Sequence, residues 1–136
     1  MIVVDSNVIA YCWLPGPLTA IAQQVRLMDP EWHAPILWRS ELRSILTGFL
    51  RDGTLGAEQV VAVMMQVERA LEGREHLVPS DRVFDLAAAT RLSAYDCEFI
   101  ALAGVLSVPL VTEDKAVLRA FPDKALSMSA FIDQSA

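Results

Sequence analysis

The chain has 136 residues, with 11 Lys+Arg against 17 Asp+Glu for a formal net charge of −6. That length fits one domain of ordinary size, and 54% hydrophobic with 21% charged residues is core-forming composition that excludes a disordered chain. The acidic balance argues against attraction to a polyanion through global charge, while leaving room for a local basic rim or a cation-mediated site.

The first element predicted is a buried strand at Ile2-Val3-Val4, too short an apolar run for a helix. Pro15-Gly16-Pro17 marks a turn, and Thr19 to Met28 reads as a first long helix. His33-Ala34 is compatible with a short strand or a loop. Leu37 to Leu50 forms a strong amphipathic helix, with Leu37, Trp38, Leu42, Ile45, Leu46 and Phe49 on one face, and Arg51-Asp52-Gly53 stops it. Ala57 to Glu72 is a further helix with Val60, Val63, Met64, Val67 and Leu71 on one stripe. Ser80 caps a helix to about Leu92, and Ser93 caps another over Tyr95 to Leu106, which carries no charge after Glu98. Leu110-Val111-Thr112 is a second buried strand, Lys115 to Ala120 a short helix, and Leu126-Ser127 an edge strand before a last helical turn. Apolar strands separated by helices predict an α/β domain, a central mostly parallel β-sheet with helices on both faces.

Four carboxylates stand where a well-behaved core would not place them. Asp5 ends the first strand, and strand C-terminal ends are where open α/β sheets bind ligands; it also suits a turn or helix cap. Glu41 falls between Leu37 and Ile45 on the apolar helix face, where an ionised carboxylate costs free energy unless paired or metal-bound. Its plain alternative is an outward-snorkelling acid paired with Arg39 or Arg43. Asp96 lies three residues after Ser93, as in a capping box, yet shares a face with Ile100 and Ala103. Asp114 follows the second strand and precedes a helix, so it fits an N-cap and equally a second strand-end acid beside Asp5.

If the four converge, their repulsion demands a cation. An all-carboxylate set without His or Cys selects a hard, oxygen-loving ion, Mg²⁺ or Mn²⁺, and such an ion can activate water for phosphodiester hydrolysis.

Four segments in this order resemble the PIN-domain ribonucleases, and within them the VapC-type toxins of type II toxin–antitoxin systems. They are Val3-Val4-Asp5-Ser6-Asn7-Val8, Trp38-Arg39-Ser40-Glu41-Leu42, Ser93-Ala94-Tyr95-Asp96 followed by Ala101-Leu102-Ala103, and Leu110-Val111-Thr112-Glu113-Asp114. The resemblance covers essentially the whole chain and implies a single PIN-like domain over residues 1–136. It implies divalent-metal-dependent cleavage of RNA, toxicity by blocking translation, neutralisation by a small antitoxin protein, and a homodimer. It places Asp5 and Asp96 as primary metal ligands, Glu41 and Asp114 acting through waters, and Ser6 or Asn7 together with Thr112 as polar helpers. Glu113 offers a substitute for Asp114.

Arg39 and Arg43 flank Glu41, while Lys115 and Arg119 follow Asp114; they are candidates to hold RNA phosphates at the site rim, or ordinary solvated faces. Val61 and Met65 lie one turn apart off the main stripe of their helix, suiting either core contact with a neighbouring helix or a groove wall for the antitoxin. Trp13, Trp32 and Trp38 read as core or interface, and His33 and His76 as incidental.

Cys12 and Cys97 are too few for a disulfide scaffold and suit a reducing compartment. The start lacks the basic segment of a secretory leader, and no uncharged run is apolar enough over the about 20 residues a bilayer requires. Both expectations point to the cytoplasm and away from a membrane. Two rival readings stay open: a non-catalytic binding module that keeps its acids for caps, and an aspartyl phosphotransferase or phosphatase using Asp5. Against the second, Asn7 stands where a haloacid-dehalogenase pattern wants Asp, and Ser6 where a receiver domain wants a paired acid.

Overall fold

The computed structural model describes residues 1–134. Its elements run β1 (Ile2–Val4), α1 (Ser6–Trp13), α2 (Thr19–Met28), β2 (Trp32–Pro35), α3 (Trp38–Arg51), α4 (Ala57–Ala70), β3 (Glu75–His76), α5 (Ser80–Ala89), α6 (Ala94–Leu106), β4 (Leu110–Val111), α7 (Lys115–Ala120), β5 (Ala125–Leu126) and α8 (Met128–Gln134). The five strands form one sheet in the order β3-β2-β1-β4-β5, and every pairing is parallel. The sheet is therefore wholly parallel rather than mostly so, because each connection returns through a helix.

Alternation along β1 divides the core. Ile2 and Val4 face one hydrophobic cluster with Val8, Ile9, Trp38 and Leu42, whereas Val3 faces a second with Phe99, Ile100, Leu102 and Leu110. With side chains alternating across a strand, three consecutive buried residues need cover on both faces, so helices pack on either side. The all-apolar stretch of α6 is explained the same way: Cys97 and Phe99 to Ala103 are all buried.

The strand order reverses at β1. Successive strands β2 and β3 lie to one side of it and β4 and β5 to the other. Such a switch point opens a crevice beyond the strand C-terminal ends. In register, Val4 stands beside Val111, so the residues that follow, Asp5 and Thr112, leave the sheet together.

Two elements escape the sequence reading. Helix α1 starts directly after Asp5, with no charged residue in its first or last turn to signal its ends. Strand β3 is two polar residues with no apolar run, recruited by pairing with Ala34 and Pro35. Helix α5 begins at Ser80 with Pro79 in the N-cap position and ends at Ala89, short of Leu92, because Thr90 is extended. Thr90 Oγ1 donates to the Leu86 carbonyl oxygen and satisfies that helix end. Among the described residues no helix is long and apolar enough to cross a membrane.

Candidate active site

Asp5 occupies the N-cap position of α1 but makes no cap hydrogen bond with its side chain. Instead Thr112 Oγ1 donates to Asp5 Oδ2 at 2.7 Å. The same Thr112 oxygen accepts from the Asp114 backbone N–H at 3.0 Å. Thr112 is wholly buried, so one hydroxyl ties both strand-end acids into a fixed relation. Asp114 itself caps α7, accepting from Val117 N–H at 3.0 Å through Oδ1 and leaving Oδ2 available.

Glu41 is brought in from α3. Ser6 Oγ, almost fully buried at the start of α1, donates to Glu41 Oε1 at 2.8 Å. Among the described residues Glu41 pairs with neither Arg39 nor Arg43. Asp96 stands in the first turn of α6, where Ser93 Oγ accepts its backbone N–H at 3.1 Å. That cap uses the Asp96 amide, and the Ser93 hydroxyl also lies against the Asp96 carboxylate.

The electrostatics gather these groups. Burial pushes the Asp5 carboxyl above its usual range; the Thr112 hydroxyl and the backbone N–H groups of Asn7 and Ser6 pull it back, and the charge of Asp96 pushes it up further. Burial also raises Glu41, opposed by the Ser6 hydroxyl and reinforced by the charges of Asp5, Asp96 and Glu98. Asp96 is raised by burial, against its bond to Ser93, and by the charge of Asp114. Each acid thus feels the next, around the mouth of the switch point. Glu98 is a member that the sequence reading passes over; its signal is a charge retained in an otherwise apolar helix, and burial raises its carboxyl too.

The remaining sequence candidates are placed as follows. Asn7 is exposed and lines an apolar cavity with Tyr11 and Phe49. Glu113 turns away from the cluster: its Oε1 accepts the Met128 N–H at the start of α8 at 3.0 Å, so it serves that helix rather than replacing Asp114. Arg39 is committed elsewhere, to Glu68 of α4 and, from Nη2 at 2.9 Å, to Glu75 of β3, which leaves Arg43, Lys115 and Arg119 as exposed cations near the acids. Val61 and Met65 are 57% and 55% exposed, so core contact does not account for them. Trp32 and Trp38 are core residues, and Trp13 meets Trp32 edge-on while carrying Arg26 on its ring. His33 and His76, incidental in sequence, pair across β2 and β3, with His33 Nδ1 2.8 Å from His76 Nε2 and His33 Nε2 3.0 Å from Glu31.

As a donor set the cluster is carboxylate only, with both cysteines buried in the core and both histidines occupied by each other. Among the described residues no three such side chains already form a closed ligand group. Mg²⁺ does not need one, since it keeps several waters and takes one or two carboxylates directly. The arrangement could therefore hold a hydrated hard cation between Asp5 and Asp96.

A wholly parallel sheet with Asp5 and Asp114 tied together at its switch point defines an open α/β domain. A family model described as the PIN domain matches residues 2–123, and the chain belongs to that family. Three solved structures are similar in fold. PAE2754 from Pyrobaculum aerophilum has 16% identity and a TM-score of 0.76, over 98% of this chain and 94% of that one. FitAcB from Neisseria gonorrhoeae has 16% identity and a TM-score of 0.74, over 95% and 99%. A toxin–antitoxin complex from Klebsiella pneumoniae has 14% identity and a TM-score of 0.70, over 94% and 98%. No curated protein sequence matches the chain.

Proposed function

We propose that this chain is a Mg²⁺- or Mn²⁺-dependent endoribonuclease of the VapC type, a cytoplasmic toxin that hydrolyses RNA phosphodiester bonds and is neutralised by a small antitoxin. The observation that carries it is Asp5: a half-buried strand-end aspartate whose carboxylate is held across the sheet by the Thr112 hydroxyl and raised by burial and by the charge of Asp96. Membership of the PIN family supports the same reading.

In the mechanism Asp5 and Asp96 would hold the ion, with Glu41 and Asp114 reaching it through water. The bound ion supplies a water of lowered pKa and neutralises charge on the phosphate oxygens. Ser6 keeps Glu41 aimed inward, and Thr112 fixes Asp5 relative to Asp114. Burial raises the proton affinity of Glu41, which suits it to accept a proton from the attacking water.

An antitoxin partner is supported by a cavity of about 390 Å³ between α3 and α4, lined by Leu46, Leu50, Val61 and Met64, with exposed Met65 on the same helix. An amphipathic antitoxin helix would fill it. A homodimer is part of the same proposal. The test is cleavage of total cellular RNA by purified protein, with and without Mg²⁺. Asp5→Asn and Asp96→Asn should each abolish it and relieve toxicity. Activity retained by both variants would end the nuclease reading, and a phospho-aspartate trapped at Asp5 would favour a phosphotransferase instead.

A further inference from the structure

Basic residues in an acidic protein are worth following. Arg26 lies over the Trp13 ring, Arg39 is bound by two glutamates, and Arg74 donates to the Pro30 carbonyl oxygen. Arg91 and Arg119 have no ion-pair or hydrogen-bond partner among the described residues, and both are exposed. They come from different elements yet line one cavity of about 450 Å³, formed by the turn between α5 and α6 on one side and the outer face of α7 on the other. No carboxylate lines it; the other walls are Thr90, Leu92 and alanines.

Both walls of this groove begin at a candidate catalytic acid. On α7, Ala116, Arg119 and Ala120 share the lining face, and the N-cap is Asp114. At a rise of about 1.5 Å per residue, Arg119 stands roughly 7 Å along the helix from that cap. On the other wall the Thr90–Leu92 turn runs into Ser93, the cap of α6, whose first turn holds Asp96. Asp96 and Asp114 feel each other's charge, so the two walls meet at the acids. The turn bearing Arg91 is also stiffened: Thr90 Oγ1 donates to the Leu86 carbonyl oxygen and accepts the Leu92 N–H at 3.3 Å. Fixing the turn holds the Arg91 backbone at the groove wall.

We infer that the Arg91–Arg119 groove is the track for the RNA strand beside the cleaved bond, each guanidinium holding a backbone phosphate. The inference rests on the nuclease reading and adds a direction: RNA leaves the acids over the α5–α7 side of the sheet, away from the α3–α4 cavity offered to the antitoxin. Two cations set along one groove suit the regularly repeated charges of a nucleic-acid strand. Guanidinium groups bind phosphate bidentately and contribute no base preference, so the groove fixes register rather than sequence.

The test is fluorescence anisotropy of a short labelled single-stranded RNA in chelator, where no cleavage occurs. The Arg91→Glu/Arg119→Glu pair should weaken binding about tenfold or more and lower the slope of log K against log salt by about 1.4, at about 0.7 per phosphate contact on a single strand. The Arg91→Lys/Arg119→Lys pair should restore most of the slope, and Arg69→Glu on the exposed side of α4 should change neither. Melting temperatures of all variants report that the fold is intact. Equal binding by wild type and the double Glu variant, or no saturable RNA binding by wild type, overturns the track. Poly-glutamate binding through these arginines in place of RNA would reassign the groove to an acidic protein partner and overturn it as well. The two readings fail separately: arginine-dependent binding with no Mg²⁺-dependent cleavage strikes only the nuclease, and cleavage untouched by the double variant strikes only the track.

Discussion

Thr112 shows how a single neutral side chain organises a charged site. Its hydroxyl gives its one proton to Asp5 and takes one from the Asp114 amide, in a position with no solvent exposure. Thr112→Val keeps the shape and removes both bonds, leaving a buried amide and a carboxylate short of partners. The expected loss is about 1–3 kcal/mol in chemical denaturation, together with a roughly 10–100-fold fall in metal affinity or activity. Thr112→Ser should recover most of each. Asp5 makes a second prediction through pH. Its carboxyl is raised, chiefly by burial, so the ionised form is the one the fold disfavours. Its contribution to stability is complete below the ordinary aspartate value of about 4 and is lost as pH rises through the elevated one. In chelator, the melting temperature of wild type should therefore fall relative to that of Asp5→Asn between about pH 4 and pH 8. A constant difference would show that the carboxylate is not strained. These acids were legible in the sequence because each breaks an apolar context. Glu98 was not, because nothing in one dimension says that its helix face turns toward Glu41.

At the level of elements, helices with signals at their ends were readable: α2 over Thr19–Met28 and α7 over Lys115–Ala120 lie where composition put them, and Ser93 and Asp114 cap as their positions suggested. Helix α1 and strand β3 mark the limit. A helix without charge contrast between its ends, and a strand of Glu75 and His76 alone, exist because of partners far along the chain. β3 is held by side chains as much as by its ladder. Glu75 accepts from Trp38 Nε1 at 2.6 Å and binds Arg39, and His76 meets His33. The His76 imidazole is lowered, first by burial and then by the His33 charge. A depressed base stabilises the fold above its ordinary value of about 6.5 and ceases to do so as pH falls through the lowered one. Protection factors at Glu75 and His76, taken against the intrinsic exchange rate at each pH, should fall on acidification while central α3 amides stay protected, and His76→Asn should remove that pH dependence. Helix α4 carries a different prediction. Val61→Asp with Met65→Asp touches only exposed positions, so stability should change by less than about 0.5 kcal/mol per site. Co-purification of the cognate antitoxin should nevertheless be lost; retention would move the antitoxin elsewhere.

The whole molecule is a balance of charge. The chain carries a net charge of −6, and the switch of strand order brings Asp5 and Asp114 to one crevice; on the proposed reading a divalent cation offsets the charge gathered there. Saturating Mg²⁺ at one hundred times its dissociation constant should stabilise the fold by about 2.7 kcal/mol. A melting temperature indifferent to Mg²⁺ in wild type, or an equal response in Asp5→Asn/Asp96→Asn, would contradict the placement of the ion.

The bond between Thr112 and Asp5 joins positions 107 residues apart. Synthesis at about 5–20 residues per second means that the first acid waits several seconds or more for its anchor. Until β4 inserts beside β1 there is no switch point and no fixed crevice. On the proposed ribonuclease reading, a chain still being made, or a fragment from interrupted translation that lacks β4, would have no assembled site. On that reading, any need for an inhibitor would begin only once β4 has paired with β1.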